Sequence, residues 1–87
     1  MYVAIRHEGK GKKMPMFISG KSIAKIRKDL GLSQSEFSDR YKIALPALHA
    51  WEQKINRPSR YAIIYLKLIE NNPELIANEV RKITVKR

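Results

Sequence analysis

The chain contains no cysteine and few acidic residues, and both shortages limit what it can be. Without thiols it can form neither disulfides nor a thiolate zinc site, so helix packing and self-association must stabilise it. A reducing cytoplasm is the expected location. Its 87 residues allow one domain with a small core, which leaves no room for a catalytic cleft and the residues that support one.

Long apolar runs and catalytic motifs are missing as well. No run approaches the roughly 20 residues that span a bilayer, and Arg6, His7 and Glu8 lie where a secretory signal needs apolar residues. We expect a soluble protein with no membrane partner. The chain has no Gly-rich phosphate loop, nucleophile elbow or His–carboxylate motif, so we expect neither enzyme activity nor a cofactor. His7 and His49 alone supply too few ligands for a metal site.

Basic residues, in contrast, are abundant. Eighteen Lys and Arg against eight Asp and Glu give a formal net charge of +10. Such an excess predicts attraction to polyanions, above all nucleic acid. The two ends, residues 1–21 and 81–87, carry +4 each and residues 22–80 carry +2. The ends are therefore either arms that bind a polyanion or tails that only keep the protein soluble.

The middle of the chain has the pattern of short amphipathic helices. Ile23, Ile26 and Leu30 recur at helical spacing. Gly31 follows them and can take the positive φ of a C-terminal cap. This pattern predicts a first helix over residues 22–30.

A second helix is predicted from Ser33 to Tyr41. Ser33 and Glu36 have the spacing of a capping box, in which each side chain satisfies a backbone N–H of the other residue. Phe37 and Tyr41 form its inward stripe. The following residues, from Lys42 onward, interrupt the helical pattern.

A third helix is predicted over residues 46–54, because Pro46 suits the first turn of a helix. Leu48, Trp51 and Ile55 share one face, which should point into the protein. Trp51 is thus interpreted as a core residue whose indole N–H needs a partner. The other faces of this helix are free to contact a binding partner, and they carry Ala47, His49, Ala50 and Gln53.

Two further helices complete the predicted domain. Ser59 can cap a fourth helix that ends near Ile69, and the apolar run Tyr61–Leu66 should make this helix the buried centre. It should touch helices one to three on one side and either helix five or another subunit on the other. Asn72 can cap a fifth helix. The fifth helix has an apolar face that either forms a dimer interface or packs on the fourth helix of its own chain, and its residues are Leu75, Ile76, Val80 and Ile83.

The two ends of the chain have a different pattern. Residues 2–5 and 14–18 fit a β-hairpin, and Ile83, Thr84 and Val85 fit a short strand. The predicted organisation is a basic arm or hairpin over residues 1–20, a helical domain over 21–82 and a basic tail over 83–87. The fold class is all-α with five helices and short β segments at the termini.

These residues bear a specific resemblance to a known family. Residues 26–74, about 50 of the 87, run IRKDLGLSQSEFSDRYKIALPALHAWEQKINRPSRYAIIYLKLIENNPE. This run is similar to the lambda-repressor-like helix-turn-helix family, also called the xenobiotic-response-element family. Gln34 at the start of the second helix, Phe37 three residues later and Trp51–Gln53 at the end of the third carry the resemblance. Arg57–Ser59 and Asn72–Glu74 also resemble small antitoxin-type members.

The resemblance implies a dimeric transcription regulator that binds double-stranded DNA, with the third helix in the major groove. The most specific expectation is a repressor at an inverted-repeat operator. Antitoxin-type members add a ribonuclease-type toxin as a protein partner. The residues expected to contact DNA are Gln34, Ser35, Ala44, Leu45, Ala47, His49, Ala50, Gln53, Lys54, Asn56, Arg57 and Arg60.

Alternatives stay open at several positions. The family usually has glycine in the inter-helix turn, where this chain has Lys42, and a capping Ser or Thr where it has Ala44. Because the residues around Ala44 are apolar, the domain is alternatively a protein-interaction module that has kept the fold without reading DNA. Gln34 is either a phosphate contact or a solvated helix residue, and His49 is either a base contact or plain surface.

Overall fold

The computed structural model describes residues 18–84, which form five α-helices and no strand. The all-α prediction is confirmed for this part of the chain. None of these helices is long and apolar enough to cross a membrane. The predicted N-terminal hairpin falls almost wholly on residues 1–17, which lie outside the described residues. The helices are α1 (Gly20–Asp29), α2 (Gln34–Tyr41), α3 (Leu45–Glu52), α4 (Arg60–Asn71) and α5 (Pro73–Thr84).

The strand predicted at the C-terminus is wrong where the structure describes it. Helix α5 continues through Ile83 and Thr84, and the Thr84 Oγ1 donates to the Val80 carbonyl at 2.9 Å. Basic residues in its last turn favour the helix through its dipole. A boundary after residue 82 would therefore cut α5, while Val85 lies outside the described residues.

Helix α1 begins two residues earlier than predicted because Ser19 is its N-cap. The Ser19 Oγ accepts a hydrogen bond from the Ser22 N–H at 3.0 Å. At the other end Gly31 has a φ of 74°, and its N–H donates to the Lys28 carbonyl at 2.9 Å. The predicted glycine at the end of this helix is confirmed.

The capping box of α2 is confirmed in both halves. The Ser33 Oγ accepts from the Glu36 N–H at 3.1 Å, and the Glu36 Oε1 accepts from the Ser33 N–H at 2.8 Å. Lys42 ends the helix in the left-handed conformation, with a φ of 56°. A lysine therefore occupies the turn at a cost of roughly 1 kcal/mol relative to a right-handed position.

Helix α3 ends at Glu52, two residues before its predicted end. The chain then turns through Lys54, whose φ of 64° is also left-handed. Leu48 is fully buried and Trp51 packs half-buried against the core, as predicted. Ile55 is 68% exposed, so its predicted place on the inward face is wrong. It follows the turn and no longer belongs to the helix.

Helix α4 is capped by Ser59 as predicted, since the Ser59 Oγ accepts from the Ala62 N–H at 3.1 Å. It reaches Asn71 rather than ending near residue 69. The prediction that residues 61–66 are buried throughout is wrong, because Tyr61 is 81% exposed and Ile64 is 45% exposed. The other helices are too few to surround α4 completely, and its buried face consists of Ile63, Leu66 and Ile69.

Helix α5 starts just after Asn72, whose carbonyl accepts from the Ile76 N–H at 3.0 Å. It packs on α4 and α2. The predicted apolar face of α5 is divided: Ile76 packs half-buried on the core, whereas Leu75 and Ile83 are 54% and 77% exposed. Part of that face is thus occupied within its own chain.

One apolar core joins all five helices. Tyr41 links three of them, because its Oη donates to the Pro73 carbonyl at 3.0 Å and its carbonyl accepts from the Tyr65 Oη at 2.7 Å. Its ring lies 4.9 Å from that of Phe37. The buried residues are Ile18, Ile23, Ile26, Phe37, Tyr41, Ile43, Leu48, Ile63, Leu66 and Ile69.

Candidate nucleic-acid interface

Helices α2 and α3 form a compact pair in which α3 has one buried side and one open side. Three residues, 42–44, join the two helices, and α3 packs against both α1 and α2. Leu48 points into the core and is fully buried. His49 and Gln53, four residues apart and so on one face, are exposed. The outer face of α3 is therefore accessible.

None of the residues predicted to contact DNA is buried. Four are half-buried at helix starts or along α3, and they are Gln34, Leu45, Ala47 and Ala50. The others are exposed, and they are Ser35, Ala44, His49, Gln53, Lys54, Asn56, Arg57 and Arg60. This set runs along the start of α2, the whole of α3 and the loop that leads into α4.

The first turn of α3 has no side-chain cap. Ala44 occupies the N-cap position, where its carbonyl accepts from the Leu48 N–H at 3.0 Å. Pro46 removes one of the amide donors of that turn. The remaining first-turn N–H groups carry the partial positive charge of a helix start, which suits an anion such as a phosphate.

A cluster of Arg27, Glu52 and Gln34 ties α3 to α1 and α2. The Arg27 Nε and Nη2 donate to the two oxygens of Glu52 at 2.9 Å each. The Gln34 Nε2 donates to the Glu52 Oε1 at 3.0 Å. The Arg27 and Glu52 side chains are only 11% and 7% exposed. This two-point contact fixes the end of α3 relative to both neighbouring helices.

Electrostatics in this cluster favour the ionised carboxylate. Burial by itself would raise the pKa of Glu52, but the hydrogen bonds from Arg27 and Gln34 outweigh it, so the pKa lies below its usual value. The hydrogen bond to Glu52 raises the pKa of Arg27 further. Both groups are charged at neutral pH, and the pair adds no net charge to the α3 surface.

Gln34 has a partner within the chain that the sequence does not indicate. The sequence predicts either a phosphate contact or a solvated side chain, and in the structure the amide group donates to Glu52. A primary amide has two N–H donors, so one remains for an outside acceptor. Gln34 can thus hold α3 and meet a phosphate at the same time.

The sequence did not reveal this cluster. Glu52 is bonded to Arg27, which lies 25 positions away in the sequence. No spacing rule connects residues on different helices at such a separation. The one available signal is that Glu52 is the single acidic residue in 40–69, a region with six Lys and Arg.

Helix α1 approaches the end of α3 very closely at Gly20. A Cβ added there would lie 2.5 Å from the Trp51 carbonyl oxygen and 2.8 Å from that of Glu52. Only glycine permits this approach. Beside it lies an open cavity of about 350 Å³ that brings together Lys54, Asn56 and Arg57 with the N-cap Ser19, Gly20 and Trp51.

No metal site is found among residues 18–84, where no three His, Cys, Asp or Glu side chains come close enough to share an ion. In comparisons with known proteins, no family model matches the chain and no curated protein sequence matches it.

Proposed function

We propose that the protein is a sequence-specific DNA-binding regulator of the lambda-repressor-like helix-turn-helix type, with α3 as the helix that enters the major groove. The observation that supports this most is the open outer face of α3. Leu48 on the opposite face is buried in the core, and Glu52 bonds the C-terminal end of the helix to Arg27. Cationic and amide side chains flank that face on both sides. A helix braced in this way can present side chains to base edges.

Phosphate contacts are proposed on each side of α3. Gln34 and Ser35, in the first turn of α2, have amide and hydroxyl donors beside the positive end of that helix. Lys54, Arg57 and Arg60 are exposed where the chain leaves α3 and enters α4. Together these groups would fix the position of α3 on the duplex.

Base contacts are proposed for two exposed residues, His49 on α3 and Gln53, the C-cap residue that directly follows the helix. Gln53 can donate to and accept from adenine, and His49 lies one turn before it on the same face. Leu45 and Ala47 have no polar side-chain atoms, so their contribution is limited to apolar contact with thymine methyl groups. The proposed specificity is therefore narrow and depends mainly on Gln53.

A homodimer is proposed because one reading helix is too short to define a site. At 1.5 Å per residue, the eight residues of α3 span roughly 12 Å, which covers only a few base pairs. Two-fold pairing would place two such helices about 34 Å apart, in successive major grooves. Such a dimer would occupy an inverted-repeat operator and act as a repressor.

Salt dependence tests the proposal. A duplex is first selected from a random pool, and its affinity is then measured between 50 and 200 mM salt, a range over which phosphate contacts have large effects. We expect a log–log slope of about −0.9 per phosphate neutralised, reduced by about one in Lys54→Gln. Lys82→Gln, on α5 and paired with Glu79, is the matched control and should leave the slope unchanged.

An antitoxin role is a further part of this proposal and rests on the resemblance of Arg57–Ser59 and Asn72–Glu74 to antitoxin-type members. It predicts co-purification with a ribonuclease-type toxin encoded by the adjoining reading frame. If the two proteins are expressed together and separate cleanly on a sizing column, the antitoxin role is wrong. The DNA-binding proposal does not depend on this outcome.

The uncapped, apolar start of α3 favours one alternative function, a protein-interaction module that does not read DNA. Ala44 is exposed there without a side-chain hydrogen bond, and Leu45 and Ala47 follow it. Such a module would show no sequence enrichment from the random pool. Enrichment of one duplex, together with loss of binding in Gln53→Ala, would exclude it.

A further inference from the structure

Helix α4 exposes three large apolar side chains on one face. Tyr61 is 81% exposed, Ile64 is 45% exposed and Leu68 is 46% exposed. Their spacing, i, i+3 and i+7, aligns them along the helix. Single exposed apolar residues are ordinary, but an aligned set along two turns indicates a contact surface. We call Tyr61, Ile64 and Leu68 the α4 stripe.

The part of the chain that carries the α4 stripe has no net charge. Residues 18–60 hold nine Lys and Arg against four acids, whereas residues 61–84 hold three of each sign. Two of those cations pair within their own helices, Lys67 with Glu70 at 4.0 Å and Lys82 with Glu79 at 3.3 Å. Among the described residues, the whole positive excess thus lies in residues 18–60, which include α3.

We propose that the α4 stripe is the surface through which two copies of this chain associate. Two chains of charge +10 repel each other wherever their basic surfaces meet, and a polyanion would be attracted to those surfaces. A two-fold contact must be complementary to itself, which suits an apolar stripe in a part of the chain, residues 61–84, that carries equal numbers of both signs. The inference rests on the proposed dimer and identifies its interface.

The apolar face of α5 is the other candidate for this interface. Ile76 and Val80 of that face are half-buried within their own chain, whereas Leu75 and Ile83 are exposed but lie eight residues, about 12 Å, apart along the helix. The α4 stripe is more continuous, because its three side chains lie within two turns and each is at least 45% exposed. Since a seven-residue loop, 53–59, connects α3 to α4, pairing through α4 would also set the spacing of the two reading helices.

Sedimentation equilibrium without DNA tests the interface. The wild type should be dimeric, and Ile64→Gln combined with Leu68→Gln should raise the dimer dissociation constant about a thousandfold, because two half-exposed apolar side chains on each chain, four in the dimer, lose their burial. Ile55→Gln removes an apolar side chain of similar exposure away from the stripe and should leave the constant unchanged. None of these substitutions alters the charge of the protein.

A second variant distinguishes weaker dimerisation from loss of the fold. Tyr61→Ser changes a side chain that is almost entirely exposed, so the fold should be intact by circular dichroism while dimerisation weakens. A monomeric wild type, or a dimer that tolerates all the α4 substitutions, would overturn the inference. Affinity for a single half-site should be the same in the wild type and the α4 variants. If the wild type itself does not bind the half-site, the proposed DNA binding is wrong, whatever the result for the interface.

Discussion

The substitution Glu52→Gln gives the sharpest test of how the protein positions α3. The carboxylate accepts three hydrogen bonds, at 2.9, 2.9 and 3.0 Å, from Arg27 and Gln34. A glutamine at this position has one acceptor oxygen, and its NH₂ group must face N–H donors of Arg27 or Gln34. The change therefore breaks at least one hydrogen bond and leaves a largely buried guanidinium without its counter-charge.

The expected cost follows from the burial of this pair. Removing one partner of a buried ion pair costs about 3–5 kcal/mol. Because a glutamine retains one acceptor, we expect about 3 kcal/mol in the free energy of unfolding. For a domain of this size that lowers the melting temperature by about 12–24 °C. Urea unfolding at pH 7 and a thermal melt followed by circular dichroism measure both quantities.

Asp29→Asn is the matched control, since it makes the same chemical change in an exposed pair. Lys25 and Asp29 lie 2.9 Å apart, but their side chains are 74% and 63% exposed. Exposed pairs of this kind contribute little to stability, because water and salt screen the two charges. Equal costs for Glu52→Gln and Asp29→Asn would refute the argument. The double change Arg27→Met with Glu52→Leu removes both charges and should recover much of the lost stability.

The pKa of the Glu52 carboxyl is lower in the folded state than in the unfolded state. The stability that the ionised carboxylate contributes is therefore fully present above its unfolded pKa and is lost as the pH falls through its folded pKa. In urea titrations taken from pH 7 to below 4, the difference in unfolding free energy between the wild type and Glu52→Gln should steadily narrow. Gly20→Ala forces a backbone shift against the Trp51 carbonyl and should cost about 1–3 kcal/mol by the same assay, whereas Lys21→Ala beside it should be nearly neutral. Lys42→Gly should keep or slightly raise the free energy of unfolding, because glycine relieves the left-handed strain at this position. Lys42→Val should lower it by about 1 kcal/mol. If the valine variant is more stable than the glycine variant, the turn is not strained.

Local rules predicted the parts of the fold that depend on neighbouring residues. The capping box of Ser33 and Glu36, the stop at Gly31 and the cap at Ser59 each involve groups within three positions of one another. Lys42 stands where the family that the chain resembles usually has glycine, and it adopts the left-handed conformation. Because the hydrogen bonds at helix ends join residues that are close in the sequence, helix ends can be predicted from the sequence.

The features that sequence analysis missed depend on contacts between distant residues. Arg27 and Glu52 meet only because α1 and α3 pack together, and Gly20 matters only because of the same approach. The exposure of Tyr61 and Ile64 could not be inferred from an apolar run, since it depends on how many helices are available to cover α4. Periodicity gives the faces of a helix but does not say which face is covered.

The placement of the candidate DNA contacts was largely predictable, because exposed positions on α3 follow from its buried ones. Once Leu48 is assigned to the core, His49 and Gln53 must lie on other sides of the helix. The second partner of Gln34 was not predictable, since it involves Glu52 from another helix.

The central claim is that the outer face of α3 reads DNA, and a binding-site selection with wild type and Gln53→Ala tests it most directly. We predict that the wild type enriches an inverted repeat from a random duplex pool, and that Gln53→Ala loses about 1–3 kcal/mol of discrimination at one A·T pair in each half-site while its phosphate contacts persist. Lys82→Gln should reproduce the wild-type profile. A wild type that enriches no sequence, or a Gln53→Ala profile identical to it at every position, would contradict the claim.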